Sequence, residues 1–454
     1  MTKPDYRNKV KSLLIMQYNK SHIAAFAFIL FLLPVFTLQA QEAKTLSLKE
    51  AVELSIKNSK QLQLSKAKID EAVAATKEAS QRRTPDVNMS ANYLRLNSAN
   101  AKLAGTGDSS SKSPISINQV LYGTANVSYP IFAGFKIKFG IESAQYLEKA
   151  ATLDADNDKQ EVILNIISAY VNLYKANVAA QLVQENLSQS RQRDTDFTNL
   201  EKNGLLARND LLKSELQTSQ FELNLLDAQN AIQLAQVNMN LMLGLPESTK
   251  LIIDSASLMQ TQQVKTIDEY EQLATQNRYD VQALNNRKKA ADDAIKIAKG
   301  DYYPSIGISG GYAAVDIPKF LTVTNAFNLG IGVKYSLSSL WRTDAKVQQA
   351  KARAQQLQVS EAILNDVIHL SINKAYEDYF SELKKIDVLN KQVEQSLENY
   401  RISKNKYNNS LLTLTDLLEA DVAQLKARLD LSIAKADAYL SYETLLQKAG
   451  LLSP

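Results

Sequence analysis

The chain carries one leucine-rich phrase twice: NGLLARNDLLKSE over 203–215 and NSLLTLTDLLEAD over 409–421, offset by 206 positions. In each copy a breaker pair, Asn203-Gly204 or Asn409-Ser410, interrupts a long periodic run, and an acid followed by two leucines restarts it. A run that stops and resumes in this way reads as a helical hairpin. Two such hairpins predict a duplicated chain.

Working outward, the duplication extends far beyond the phrase. At an offset of 219, Glu50, Leu54, Asn58, Pro85 and Tyr93 recur as Glu269, Leu273, Asn277, Pro304 and Tyr312. The offset then shortens to 206, matching Tyr129 to Tyr335, Tyr170 to Tyr376 and Asp210 to Asp416. One architectural half is thus written twice, over 41–246 and 265–454, with 247–264 as a linker. The 13-residue difference falls between strand-like segments, where loop length varies easily.

Each half reads as helix, two strands, very long helix, shorter helix. Apolar residues at helical spacing, from Leu48 to Val73, predict a helix over 47–83 that Thr84-Pro85 ends. Period two follows, with Val87, Met89, Ala91 and Tyr93 alternating with Asn88, Ser90 and Asn92. Strands are expected at about 85–96 and 117–132, and again at about 304–315 and 325–338. The loop NSANAKLAGTGDSSSKSP separates the first two. Helical hairpins are expected over 135–243 and 342–449, and a helix over 266–301. Their long arms, of nearly 70 residues without proline, would reach roughly 100 Å at 1.5 Å per residue.

Composition narrows the function. With no Cys and only two His, the chain has no thiolate chemistry, no disulfide and no lipid-anchoring cysteine. No cofactor or metal site is expected. Lys9, Lys11 and Lys20 precede the apolar run HIAAFAFILFLLPVF and the TLQA that ends at Ala40, the layout of a signal peptide over 1–40. A membrane anchor is the alternative, which Pro34 and the modest length disfavour. Without that leader the chain balances 47 basic against 47 acidic residues, so nucleic acid is not an expected partner.

The strands have one apolar face and one small or polar face, the latter a poor second core. A small soluble sheet is one solution. If the apolar face meets lipid, every backbone hydrogen bond must close within the sheet, which requires a sealed barrel. Known barrels start at about eight strands, so four require two, three or four copies to supply eight, twelve or sixteen. Tyr93, Tyr129, Tyr312 and Tyr335, expected near strand ends, then suit an interfacial belt. The long hairpins, far taller than a membrane, would project into water. In the last helix the stripe from Leu418 through Val422, Leu425 and Leu429 to Leu440 steps by threes and fours, as an ordinary antiparallel coiled coil also would.

The export signal, the duplicated plan, YPIFAGF at 129–135 and the paired tips together make residues 42–452 resemble the TolC family of outer-membrane channel-tunnels. The resemblance implies a mainly α chain that forms a membrane β-barrel as a homotrimer, with twelve strands above a periplasmic α-helical tunnel. It implies residence in the outer membrane of a Gram-negative bacterium, in contact with its lipid. The implied role is a passive gated exit duct for a tripartite efflux pump or a type I secretion system, with a periplasmic adaptor and an inner-membrane transporter as partners. It implies no enzyme activity. A periplasmic coiled-coil adaptor or scaffold without a channel is the rival reading.

The same resemblance places an entrance gate at Asp416 and Glu419, which threefold symmetry would turn into carboxylate rings favouring cations. Two solvated acids suiting a helix N-terminus are the plain alternative. Asp210 and Tyr407 match positions whose polar contact holds the entrance closed. Leu412 stands where the family often has an arginine. Adaptor docking falls on Gly204, Leu205, Leu206, Ser410, Leu411 and Leu412, with Ser410 replacing an expected glycine. Burial of these leucines between the two tips is the alternative.

Overall fold

The computed structural model describes residues 44–101, 115–254, 263–318 and 320–453. The expected signal peptide and most of the Ser/Gly-rich loop lie outside the described residues. A short strand β1 (Lys44–Leu46) leads to α1 (Leu48–Asn58), α2 (Lys60–Gln81), β2 (Asp86–Ala101), β3 (Ile115–Ala133), α3 (Lys136–Lys202) and α4 (Arg208–Leu243). Then come β4 (Leu251–Ile253), α5 (Ile267–Asn277), α6 (Tyr279–Lys299), a 3-10 turn (Gly300–Tyr302), β5 (Ser305–Ile317), β6 (Leu321–Lys334), α7 (Ser339–Asn408) and α8 (Leu414–Lys448).

The four long strands form one antiparallel sheet in the order β2-β3-β5-β6. Register sets its faces. Val87 stands opposite Val127, Gly310 and Leu329 in turn, and Met89 opposite Ala125, Tyr312 and Phe327. This face is laid open: Met89 is 82% and Leu329 83% exposed. The reverse face is polar, with the Ser90 and Thr124 hydroxyls 2.8 Å apart and Asn88 donating to Asp86 at 3.0 Å. β2 and β6 have no partner on their outer edges among the described residues.

Near its base β3 slips register between Pro130 and Phe132. The extra residue, Ile131, shifts Phe132 onto the apolar face beside Ile306, because one inserted residue exchanges the two sides of a strand. There Phe132 meets Phe135 edge-on at 5.1 Å, and Phe135 meets Tyr303 at 5.9 Å. The chain enters α3 through two consecutive left-handed residues, Gly134 and Phe135, both at φ 64. A Cβ on Gly134 would overlap the carbonyl oxygen of Gly300, so only glycine fits this crossing.

Four expectations are corrected here. The helices expected over 47–83 and 266–301 are each broken, at Ser59 (ψ 121) and Arg278 (ψ 127), positions related by the same 219 offset. Ser59 caps the new helix by accepting from the Leu62 amide, and Arg278 binds Asp280 and the distant Lys448 carbonyl, so polar groups satisfy both breaks. The strand expected to 338 ends at Lys334, because the Ser339 and Leu340 amides turn back onto the Ser336 and Leu337 carbonyls and start α7. Tyr335 is therefore outside the sheet. Tyr93 and Tyr312 are not at strand ends either, because β2 and β5 run on beyond them to Ala101 and Ile317.

The helices hold together at three levels. A mid-height core joins Leu46, Val52, Ile163, Ile166, Tyr170, Met239 and Leu251. Around it β1 and β4 pair in parallel, an element with no hydropathy signal in its three residues. The Tyr170 hydroxyl lies 2.9 Å from the Leu46 carbonyl and 2.7 Å from that of Asp254, clipping both ends of this belt, and burial pushes its pKa up to about 12. A second cluster around Tyr270, Ile368 and Ile372 serves the other half, and smaller clusters lie toward the tips.

Gly134→Ala should cost about 2–3 kcal/mol, from strain at positive φ plus the overlap with Gly300. The check is the melting temperature of the detergent-extracted protein; a wild-type value would show that the crossing relaxes freely.

Candidate functional site: the helical tips

At the ends farthest from the sheet the two hairpins turn by the same device. The Gly204 amide bonds the Glu201 carbonyl and Leu205 bonds Leu200, while Ser410 bonds Tyr407 and Leu411 bonds Lys406. These are the crossed closing bonds that end a helix on a left-handed residue. Gly204 sits at φ 73 and Ser410 at φ 60, so Ser410 does a glycine's work with a side chain attached. Leu205 and Leu411, the residues just beyond, are each 74% exposed. Leu206 is half-buried against Phe197, Leu211, Leu414 and Leu417, and Leu412 is half-buried. Each tip thus offers one leucine to water and keeps its neighbour in.

Beside this cluster lies a buried polar junction that pattern reading missed. Arg193 of α3 donates to Asp421 of α8 at 2.7 Å, to Ser190 at 2.9 Å and to Ser214 of α4 at 3.3 Å. The paired side chains are only 11% and 1% exposed. Asp194 takes the hydroxyls of Ser214 and Thr218, and Gln424 donates to the other Asp421 oxygen at 3.0 Å. These bonds tie α8, from the second hairpin, to both helices of the first. The one available signal was Asp421 itself, an acid one turn past Leu418 on the apolar side of α8, and nothing in the sequence names a partner 228 residues away.

The expected gate residues sit at this level. Asp416 is exposed in the first turn of α8, where Thr413 caps the helix by accepting the Asp416 amide at 3.3 Å and donates its hydroxyl to the Asp416 carboxylate at 2.6 Å. Glu419, one turn on, is exposed and lines a groove of about 720 Å3 between α4 and α8 with Lys213, Leu216, Gln220 and Val422. Asp210 pairs with Lys213 at 3.6 Å. Tyr407 is half-buried beside Phe197, and burial first, then the Asp210 charge, raises its pKa. The two are electrostatic neighbours, yet no Asp210–Tyr407 hydrogen bond forms among the described residues. The described residues include no group of His, Cys, Asp and Glu able to hold a metal.

An open sheet with an exposed apolar face, carried on paired helices of 67 and 70 residues, defines a class: outer-membrane channels with a helical extension. No described helix is long and apolar enough to cross a membrane. The chain belongs to the family described as outer membrane efflux protein, which it matches over residues 51–245 and 271–451. This is a family of channel proteins, not enzymes, and the adaptor reading is not favoured.

Among curated relatives it is similar to Toxin and drug export protein A of Aggregatibacter actinomycetemcomitans, 23% identical over 69% of each chain. It is also similar to the outer membrane efflux protein BepC of Brucella suis biovar 1, 22% identical over 68% of this chain and 63% of that one. Among solved structures it shares its fold with VceC of Vibrio cholerae, at TM-score 0.73 and 19% identity over 89% of this chain and 96% of the other. The CmeC outer membrane channel of Campylobacter jejuni is comparable, at TM-score 0.73 and 17% identity over 89% and 86%.

Arg193→Met should destabilise the protein by about 3–5 kcal/mol, because it strands the Asp421 carboxylate in the interior. Pairing it with Asp421→Leu should recover most of that loss. Thermal unfolding of the single and double variants tests this; a double variant as weak as the single would locate the loss elsewhere.

Proposed function

We propose that this outer membrane efflux protein works as a homotrimer, with three four-stranded sheets closing a twelve-stranded barrel and the helices forming a tunnel in the periplasm. The observation that carries this reading is the pair of bare sheet edges, β2 and β6, on a sheet whose outer face is apolar. Those backbone groups require partners in lipid, and a second copy supplies them in register. Exposed leucines along α4 (Leu212, Leu216, Leu223) and apolar residues along α7 (Ile363, Val367, Leu370) offer further surface for contact between copies.

Membrane placement follows from the aromatics. Phe132, Phe135 and Tyr303 mark the inner boundary. Tyr93, opposite Leu121, marks the outer one, eleven residues along β3 from Phe132, roughly 36 Å of strand at 3.3 Å per residue and about 27 Å of height at a barrel strand's tilt of about 40°. An apolar band of about 25 Å is what such barrels present. Delivery there would use the signal peptide at 1–40.

In this reading the protein is a passive conduit, whose energy comes from an inner-membrane transporter. The exposed Leu205 and Leu411, on the Gly204 and Ser410 turns, with Leu206 and Leu412 behind them, receive the adaptor's helical hairpins. Asp416 and Glu419 line the constriction as rings of carboxylates, and Asp210, Tyr407 and the Arg193–Asp421 junction hold the entrance helices until docking parts them. Efflux or secretion cargo is chosen by the partners.

Neutralising the ring with Asp416→Asn and Glu419→Gln should lower the cation preference measured in planar bilayers several-fold; unchanged selectivity would remove both acids from the constriction. Gly204→Asp or Leu411→Glu should abolish crosslinking to the adaptor while leaving the protein in the outer-membrane fraction. Wild-type crosslinking would move the docking site off the tips.

A further inference from the structure

Just below the sheet, α3, α6 and α7 frame a groove of about 680 Å3. Its floor is the small-residue face of α6: Ala290, Ala291, Ala294 and Ala298. Its rim is cationic, with Lys136 on α3, Arg287 on α6, and Lys346 and Arg353 on α7. Asp301 takes both lysines, Lys136 at 2.8 Å and Lys346 at 2.6 Å, and these bonds, that of Lys136 first, hold its carboxyl below the usual range. Arg287 pairs with Asp154. Arg353 is exposed and makes no hydrogen bond or ion pair among the described residues. Four cations therefore face two carboxylates, in a chain that beyond its first 40 residues balances 47 basic against 47 acidic residues.

The groove opens on the inner side of the helical wall. Lys296 and Lys289 of α6 lie over the rings of Phe139 and Tyr146, the column that continues downward from Phe132 and Phe135 on the lipid-facing side. At 3.6 residues per turn the alanine floor lies roughly 160° around α6 from those two lysines. It thus shares a side with the polar sheet face of Ser90, Thr124 and Asn126.

We infer that this groove is a binding site for amphiphilic anions in transit, the apolar body lying on the alanine floor and the anionic group meeting Lys346 and Arg353. The inference rests on the conduit reading and adds a cargo class to it. An apolar floor gains little from a small hydrated anion, and a cationic rim gains nothing from a neutral apolar molecule, so the pair of features selects a molecule with both parts. Three copies would place three such sites around the duct immediately beneath the barrel. Weak, repeated sites of this kind concentrate a solute without trapping it.

The test is block of single-channel current in planar bilayers by naphthalene-2-sulfonate added on the barrel side. Naphthalene-2-sulfonamide, with the same ring body but no charge, and methanesulfonate, with the charge but no body, serve as comparisons. The sulfonate should interrupt the wild-type current at concentrations at least ten-fold below either. In the Lys346→Gln/Arg353→Gln variant its half-blocking concentration should rise at least ten-fold. Both side chains are exposed, so the variant should still run as the wild-type oligomer on a heat-modifiability gel. Equal block of wild type and variant would overturn the site, as would equal block by the sulfonamide. Loss of co-purifying anionic phospholipid from the variant with block unchanged would also overturn it, by placing the groove on the lipid side. Absence of any current from the wild-type protein is a different result, since it sinks the conduit itself.

Discussion

A backbone amide in hydrocarbon has no water to turn to, and that single fact governs this chain. Its sheet exposes a continuous apolar face built of Val87, Met89, Val127, Phe327, Leu329 and Ile331, yet it ends in two bare edges. Each unmatched amide or carbonyl in lipid costs several kcal/mol, and a strand of 14 or 16 residues presents a row of them. No rearrangement within one protomer removes this, because four strands are too few to close a cylinder. On the proposed reading the polar face, with its Ser, Thr, Asn and Gly, encloses water.

Away from the sheet a different problem arises, since helices of about 100 Å cannot be held by one central core. The chain distributes its packing instead. The belt of β1, β4 and Tyr170 girdles the middle, where α1 and α5 break from α2 and α6 at Ser59 and Arg278. Near the tips the attachment changes character. There Arg193, Asp421 and Asp194 replace much of the apolar contact with a charged, hydrogen-bonded junction. Such a junction loses far more when half of it is removed than it contributes over a well-packed apolar pair. It is therefore all-or-none, which suits the entrance that the proposed function has held firmly or released, whereas the graded apolar packing at mid-height suits a part that stays put.

Much of this architecture was legible because it was periodic and duplicated. The repeated NGLL and NSLL phrases located both tips, and the alternation around Met89 and Leu329 separated the apolar face from the polar face. What escaped was either too short or too remote for periodicity to register. A three-residue strand such as Leu251–Ile253 carries no alternation to read. The breaks at Ser59 and Arg278 involve neither proline nor glycine; a local serine cap holds the first, and a bond to the distant Lys448 carbonyl helps hold the second. The bulge at Ile131 reveals itself only through the pairing of Phe132 with Ile306. Arg193 lay in a polar run of a helix whose partner is on another hairpin, so residue type and spacing gave no cue. The cationic groove was hidden for the same reason: Lys136, Arg287, Lys346 and Arg353 come from three helices, in a sequence whose overall charge is nearly neutral.

The central claim is that three copies share one closed sheet. Native mass spectrometry of the mature protein, extracted from the outer membrane in mild detergent, addresses it directly. The account predicts a species of three chains that survives detergent removal in the gas phase. A stable monomer retaining native secondary structure would contradict it, because the β2 and β6 edges would then have to be satisfied in some way that this fold does not provide.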